Sequence, residues 1–234
     1  MIKNKKLLIV LLAIFIFVQV TLGVLLQTSQ DKFCINLRYT AVILACLFCI
    51  LFASKTLSFA FTQIALVFTV CADYFLVYIP EIKQLPAMIF FSMAQIAYFL
   101  RLYFEDGDQK RKKVHLIIRA SSSLIILIIT LAVLGKSCDA LALVSMFYYA
   151  NLVLNAVFAF IGFGKNPILP IAFTLFILCD TVIGLGVLRA YMPGLEGAFI
   201  YKLIHPGFDL AWAFYLPSQA LLAISLLPHY FKRS

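Results

Sequence analysis

The chain has 234 residues, 64% of them hydrophobic and 12% charged, with a mean hydropathy of +1.05. That balance excludes a fold that must present a polar face to water. The net charge of +9 does not point to nucleic acid, because the basic residues stand in short runs between apolar stretches, without glutamine-rich or aromatic interleaving.

Lys3, Lys5 and Lys6 precede an apolar run from Leu7 to Leu26 that is long enough to cross a bilayer, and no small-residue cleavage site follows it. The run is read as an anchored first helix rather than a leader. Further apolar stretches of crossing length lie at 37–54, 57–78, 86–103, 114–134, 140–163, 167–191 and 207–228, and the weakest break is at 54–56. The predicted fold is an all-α integral membrane bundle of about eight transmembrane helices, forming a single domain over 1–234. The acidic-then-basic run from Glu105 to Lys113 reads as a solvated loop whose basic half can rest on anionic headgroups.

With the loops assigned alternately to two faces, thirteen of the nineteen basic residues, Arg101 and Arg119 among them, fall on the face that holds both termini. The positive-inside rule then makes both termini cytoplasmic and the chain a multi-pass protein of the cell membrane.

Cys46 and Cys49 form a C-x-x-C inside an apolar span, where packing is the expected role. Cys34 and Cys138 both fall in loops of the outer face, either as free thiols or as a pair. His115, His205 and His229 lie near three separate span ends with no ligand spacing, so no metal site and no cofactor are expected.

Ionisable side chains inside hydrocarbon are costly and tolerated mainly where they face a bundle interior or a water-filled cavity. Asp73 lies about 24 Å into span three and Asp180 about 20 Å into span seven, counted from the inner ends at about 1.5 Å per residue. Asp209, at the outer start of span eight, suits either a helix cap or a reacting group. Polar residues share faces at helical spacing: Ser58, Thr62 and Thr69 with Asp73; Ser92, Gln95 and Tyr98 on span four; Tyr148, Asn151 and Asn155 on span six. Asp180 and Thr181 share a side of span seven, and Trp212, Tyr215 and Gln219 share one of span eight. Spans one and five offer almost nothing comparable. Together the stripes predict one internal polar cavity that holds a carboxylate pair.

Two carboxylates in a low-dielectric pocket differ in ionisation, so that one acts as acid and the other as base. The pairing suits hydrolysis through an oxocarbenium-like intermediate, including hydrolysis of a vinyl ether. The same two acids could instead serve a proton- or ion-coupled transporter; that or a non-catalytic lipid-handling protein is the second reading, and a structural or interaction membrane protein is the third.

Five segments, in order along the chain, resemble those of the YhhN-like family of eight-span membrane proteins, whose animal members are lysoplasmalogenases. Lys55-Thr56-Leu57 looks like the family's Lys-Pro step; Phe68 to Leu76 resembles F-x-x-x-G-D-x-x-L; and Phe91 to Tyr98 resembles F-x-x-x-H-x-x-Y. The stretch from Ile171 to Asp180 is similar to G-x-x-x-F-x-x-S-D, and Tyr215 to Gln219 gives the closing Y-x-x-x-Q. Ala72 stands where the family has glycine, Gln95 where it has histidine and Cys179 where it has serine. The resemblance implies Asp73 and Asp180 as catalytic acids and Tyr98, Asn155, Tyr215 and Gln219 as pocket residues. Lys55 and Gln95 from the family segments, Tyr148 and Asn151 from the span-six stripe, and Asp209 complete the candidate substrate-binding set. The implied reaction is hydrolysis of a lysoplasmalogen or similar lysophospholipid to a fatty aldehyde and a glycerophospho-alcohol. The implied partners are a membrane lipid substrate and the bilayer.

Overall fold

The computed structural model describes residues 5–28, 32–51, 56–79, 84–162, 166–188 and 208–227. In lipid every backbone polar group must find its partner within the protein, which leaves the helix as the natural solution for such apolar segments. The described residues form α1 (Lys5–Thr28), α2 (Lys32–Leu51), α3 (Leu57–Tyr78), α4 (Leu85–Glu105), α5 (Gln109–Leu134), α6 (Ala140–Ile161), α7 (Ile168–Leu188) and α8 (Leu210–Ile224), with one 3₁₀ turn at Gly135–Ser137 and no strand among them. Seven of the helices are long and apolar enough to cross a membrane; α8 is apolar but has 15 residues. The chain is a multi-pass helical membrane protein.

Three helix starts are capped by aspartates. Asp108, Asp139 and Asp209 accept hydrogen bonds from backbone amides in the first turns of α5, α6 and α8, supplying acceptors to donors that have none inside the helix. Asp108 sets the start of α5 at Gln109, so Lys110 to Lys113 form its first turn. This corrects the expectation of a loop through Lys113. α5 ends on Gly135 at φ 51°, a backbone geometry that glycine adopts without steric cost. Pro170 sits in the first turn of α7, where no intrahelical donor is lost.

Six helices pack as a ring in the order α2, α3, α4, α6, α7, α8 and back to α2. α1 lies outside the ring against α2 and α8, and α5 lies outside against α6. Buried alanines, among them Ala65, Ala72, Ala94, Ala97, Ala156 and Ala172, let the ring helices approach closely. Outward-facing Ile117, Leu124, Ile128 and Val133 on α5 and Ile9, Phe17 and Val20 on α1 give the bundle its apolar coat.

Side-chain bonds at both ends of the bundle fix the alternating direction of the helices. At the end where α1, α3, α5 and α7 begin, here called proximal, Ser58 of α3 donates to Glu105 of α4, and Asn166 before α7 donates to the Ser225 carbonyl after α8 at 2.6 Å. At the opposite, distal end Tyr78 of α3 donates to Asn36 of α2 at 2.7 Å, and Gln27 of α1 exchanges two hydrogen bonds with the Asp209 backbone at 3.0 and 2.9 Å.

Arg101 and Arg119, counted in the sequence as loop charges, lie within α4 and α5 and are buried. Arg101 donates to the Ser225 hydroxyl at 2.6 Å and to Glu105 at 3.2 Å, knotting the proximal ends of α4 and α8. The six cysteines are free, and Cys46 and Cys49 are buried among apolar neighbours, the packing role expected of them.

Candidate functional site

The ring brings four helices to bear on one region of the distal half. Asp73 stands sixteen residues into α3, and Tyr215 stands five residues into the oppositely directed α8. The Tyr215 hydroxyl donates to Asp73 Oδ2 at 2.6 Å, and the carboxyl is 2% exposed. Asp180 of α7 is matched in the same manner, with the Tyr148 hydroxyl of α6 donating to its Oδ2. Phe176, one helical turn before Asp180, packs edge-on to both tyrosines at 5.5 and 6.4 Å, and Phe91 closes the aromatic wall beside Tyr148 at 5.4 Å.

Phe176 thus touches the partners of both carboxyl groups, so that the two acids share one aromatic wall. Each uses only Oδ2 in its tyrosine bond, so among the described residues each Oδ1 carries no hydrogen bond. Each acid is thus held by a phenol beside aromatic rings.

A second polar cluster lies deeper. Arg119 of α5 donates to Asn151 Oδ1 at 2.5 Å and to Asn155 Oδ1 at 2.7 Å, stands 3.3 Å from His115 Nε2, and places its guanidinium 4.4 Å from the centre of the Phe99 ring. Asn155 in turn donates to both the backbone oxygen and the side-chain oxygen of Gln95 at 2.9 Å. The candidate residues therefore divide. Tyr148 and Tyr215 join the acids, whereas Asn151 and Asn155 accept from an arginine that the sequence count treated as a loop charge, and Gln95 accepts from Asn155. Span five is not empty of polar function, and the residues missed are Arg119 and His115, which are spaced i, i+4 on one face of α5. The available signal was a cation six residues beyond the basic first turn of α5, inside the stretch read as a membrane span, which is rare without buried partners.

The other candidates fall in distinct places. Tyr98 is fully buried with its ring edge-on to Phe173 at 5.2 Å, and its hydroxyl makes no hydrogen bond. Gln219 is also fully buried, and neither atom of its amide is bonded. Ser92, Thr62 and Thr69 turn their hydroxyls onto carbonyls of their own helices. Asp209 caps α8 by accepting from the Trp212 amide and forms an ion pair with Arg38 at 2.5 Å, so its carboxylate is committed at the distal rim. Lys55 lies outside the described residues.

The model of the YhhN family matches residues 36–226. That interval runs from within α2 past the end of α8 and so includes both acids and both tyrosines. Comparisons with curated proteins and with solved structures gave no match.

Proposed function

The chain belongs to the YhhN family, and from that premise we propose that it is a membrane-embedded hydrolase cleaving the vinyl-ether bond of a lysoplasmalogen or similar lysophospholipid. The products are a fatty aldehyde and a glycerophospho-alcohol. The observation that carries this reading is the pair of tyrosine-held carboxyls, Asp73 and Asp180, inside the bundle.

In the proposed reaction one carboxyl, in its acid form, gives its proton to the β-carbon of the enol ether. The double-bond electrons form the new C–H bond and leave an oxocarbenium ion at the α-carbon. The other carboxyl, ionised, stabilises that cation and takes a proton from the water that adds to it. The resulting hemiacetal breaks its C–O bond to the glycerol oxygen, which takes up a proton, and the hemiacetal hydroxyl gives one up as the aldehyde forms. The balance is one water consumed and no net proton. Tyr148 and Tyr215 act as positioning residues, each fixing one carboxyl oxygen so that the other faces the reacting bond. No cofactor enters the scheme.

The test is aldehyde release by the detergent-purified protein from a lyso-vinyl-ether phospholipid, with a saturated-ether lipid as control substrate. Asp73→Asn and Asp180→Asn should each lower release by about 100-fold or more, the usual scale of acid–base catalysis, while the variants remain monodisperse. Tyr215→Phe should act more mildly than Asp73→Asn. Release that persists in either Asn variant, or that occurs equally from the saturated ether, sinks the reading. No release from folded wild-type protein gives precedence to ion-coupled transport.

A further inference from the structure

At the proximal end of the bundle, α4 and α6 finish and α5 and α7 start around a chamber of about 180 Å³. A water takes roughly 30 Å³, so there is room for about six, the scale of a small headgroup and not of a hydrocarbon chain. Asp73 and Asp180 lie in the other half of the bundle, and no step of the proposed hydrolysis uses this chamber.

Two polar residues of its lining, His115 and Asn166, are each only 4% exposed. Asn166 donates through Nδ2 to the Ser225 carbonyl at 2.6 Å, while its buried Oδ1 accepts no hydrogen bond among the described residues. His115 meets the Arg119 guanidinium through Nε2 at 3.3 Å. A guanidinium can only donate, so Nε2 accepts and the ring proton sits on Nδ1. That N–H has no partner among the described residues. Buried polar atoms are ordinarily bonded, so one unused acceptor and one unused donor in the same chamber point to a ligand that brings both.

Charge decides which donor it brings. Asp106 and Arg111 neutralise each other in an ion pair at the mouth. The lining also holds the Glu105 carboxylate, whose Oε1 is 3.2 Å from Arg101. α4 and α6 both end here, so the negative ends of two helices meet the chamber against the positive start of α7, while the first amides of α5 are capped by Asp108. Cationic donors are therefore favoured. A bare metal ion is not, because among the described residues no three ligating side chains gather. Phe158 and Leu169 in the wall suit a ligand that carries carbon.

We propose that this chamber binds a primary ammonium carried beside an oxygen, the pattern of ethanolamine. The ammonium donates to Asn166 Oδ1, and the oxygen accepts from His115 Nδ1–H. The source is a free amino alcohol or the phosphoethanolamine headgroup of a lipid; for the second, the exposed Lys110, which adjoins Arg111 in the first turn of α5, adds a cation for the phosphate. The proposal does not rest on the hydrolase reading.

The probe is ethanolamine, titrated into the full-length protein in detergent and followed by NMR of the ligand, with glycerol and glycerophosphoethanolamine as competitors. Ethanolamine should bind saturably. Glycerol, which brings no charged donor, should compete at least about tenfold more weakly, and Asn166→Leu should raise the half-saturating ethanolamine concentration by about tenfold or more. Gly162→Phe should abolish saturable binding by filling the chamber. Gly162 lines the chamber at φ −89°, and a Cβ there meets only carbonyl oxygens of its own helix, at 3.6 and 3.8 Å. This variant keeps the test decisive if Asn166→Leu loosens the tie to Ser225, and both are checked for monodispersity.

Glycerophosphoethanolamine competing about tenfold better than ethanolamine itself upholds the site and assigns it to a lipid headgroup; equal competition upholds it for the free amino alcohol. Binding that does not saturate, that persists unchanged in Gly162→Phe, or that glycerol displaces as well as ethanolamine does overturns the proposal. Asp73→Asn should leave ethanolamine binding unchanged, and Gly162→Phe should leave aldehyde release unchanged, so the chamber and the acid site are judged separately.

Discussion

Arg119 shows how a buried charge is accommodated here. Its guanidinium has no carboxylate partner among the described residues; two asparagine oxygens and the face of Phe99 take its place. A buried cation is held in this way only when its donors are well matched, because the desolvation cost is large and the compensation is local. Asn155 is the hub, since it accepts from Arg119 and donates twice to Gln95. Arg119→Met keeps the apolar stem and removes the donors, leaving the oxygens of Asn151 and Asn155 short of partners. It should destabilise the protein by about 1–3 kcal/mol, the range for orphaning a buried polar group. Asn155→Leu should cost a similar amount, and the double variant should cost less than the two single losses together. The measurement is a double-mutant cycle on detergent unfolding. Additivity within about 0.5 kcal/mol would mean that the two residues do not act as a unit.

At the scale of elements, α8 is tied at both ends, and its distal tie is the more dissectible. Asp209 serves it twice, as cap to the Trp212 amide and as partner to Arg38 on α2, while its backbone is held by Gln27 on α1. Asp209→Ala removes both roles and should cost about 1–2 kcal/mol, the usual value of a lost N-cap. Asp209→Asn keeps the cap and loses only the half-exposed ion pair, which should cost at most about 1 kcal/mol. Aldehyde release should survive Asp209→Asn; abolition of release with unchanged stability would move Asp209 from the frame into the chemistry. The sequence allowed both roles for this residue. The choice between them depended on where Arg38 and the first amides of α8 lie, which is tertiary information. Helix existence needed no such information, because the apolar lengths alone predict the described helices and their stripes turn inward as expected. Arg119 was lost for the opposite reason. Treating every basic residue as a loop marker overlooks that Asn151 and Asn155, one turn apart on α6, form a receptor for it only once α5 packs against α6.

For the whole molecule, the number of crossings turns on α8. Seven helices have the length and hydropathy to cross. The described part of α8 spans about 22 Å at the helical rise, short of a hydrocarbon core of about 30 Å. Its contacts nevertheless run from one end of the bundle to the other: Asp209 meets α1 and α2 at the distal rim, and Ser225, just past its last turn, meets Arg101 of α4 and Asn166 before α7 at the proximal end. A segment that re-entered and returned would not reach both clusters. Removing the buried Arg101 and Arg119 from the loop charges still leaves eleven basic residues on the proximal face against six on the distal face, so the positive-inside rule continues to favour a cytoplasmic proximal face. The expected outcome in intact cells is labelling of Cys138, in the turn between α5 and α6, by a membrane-impermeant thiol reagent, with Cys138→Ser as the blank. Gly107→Cys, at an open position between α4 and α5, and a tag following Ser234 should become accessible only after permeabilisation. A tag on the same side as Cys138 would mean that α8 does not cross, and the depth match between Tyr215 and Asp73 would then need another explanation than antiparallel spans.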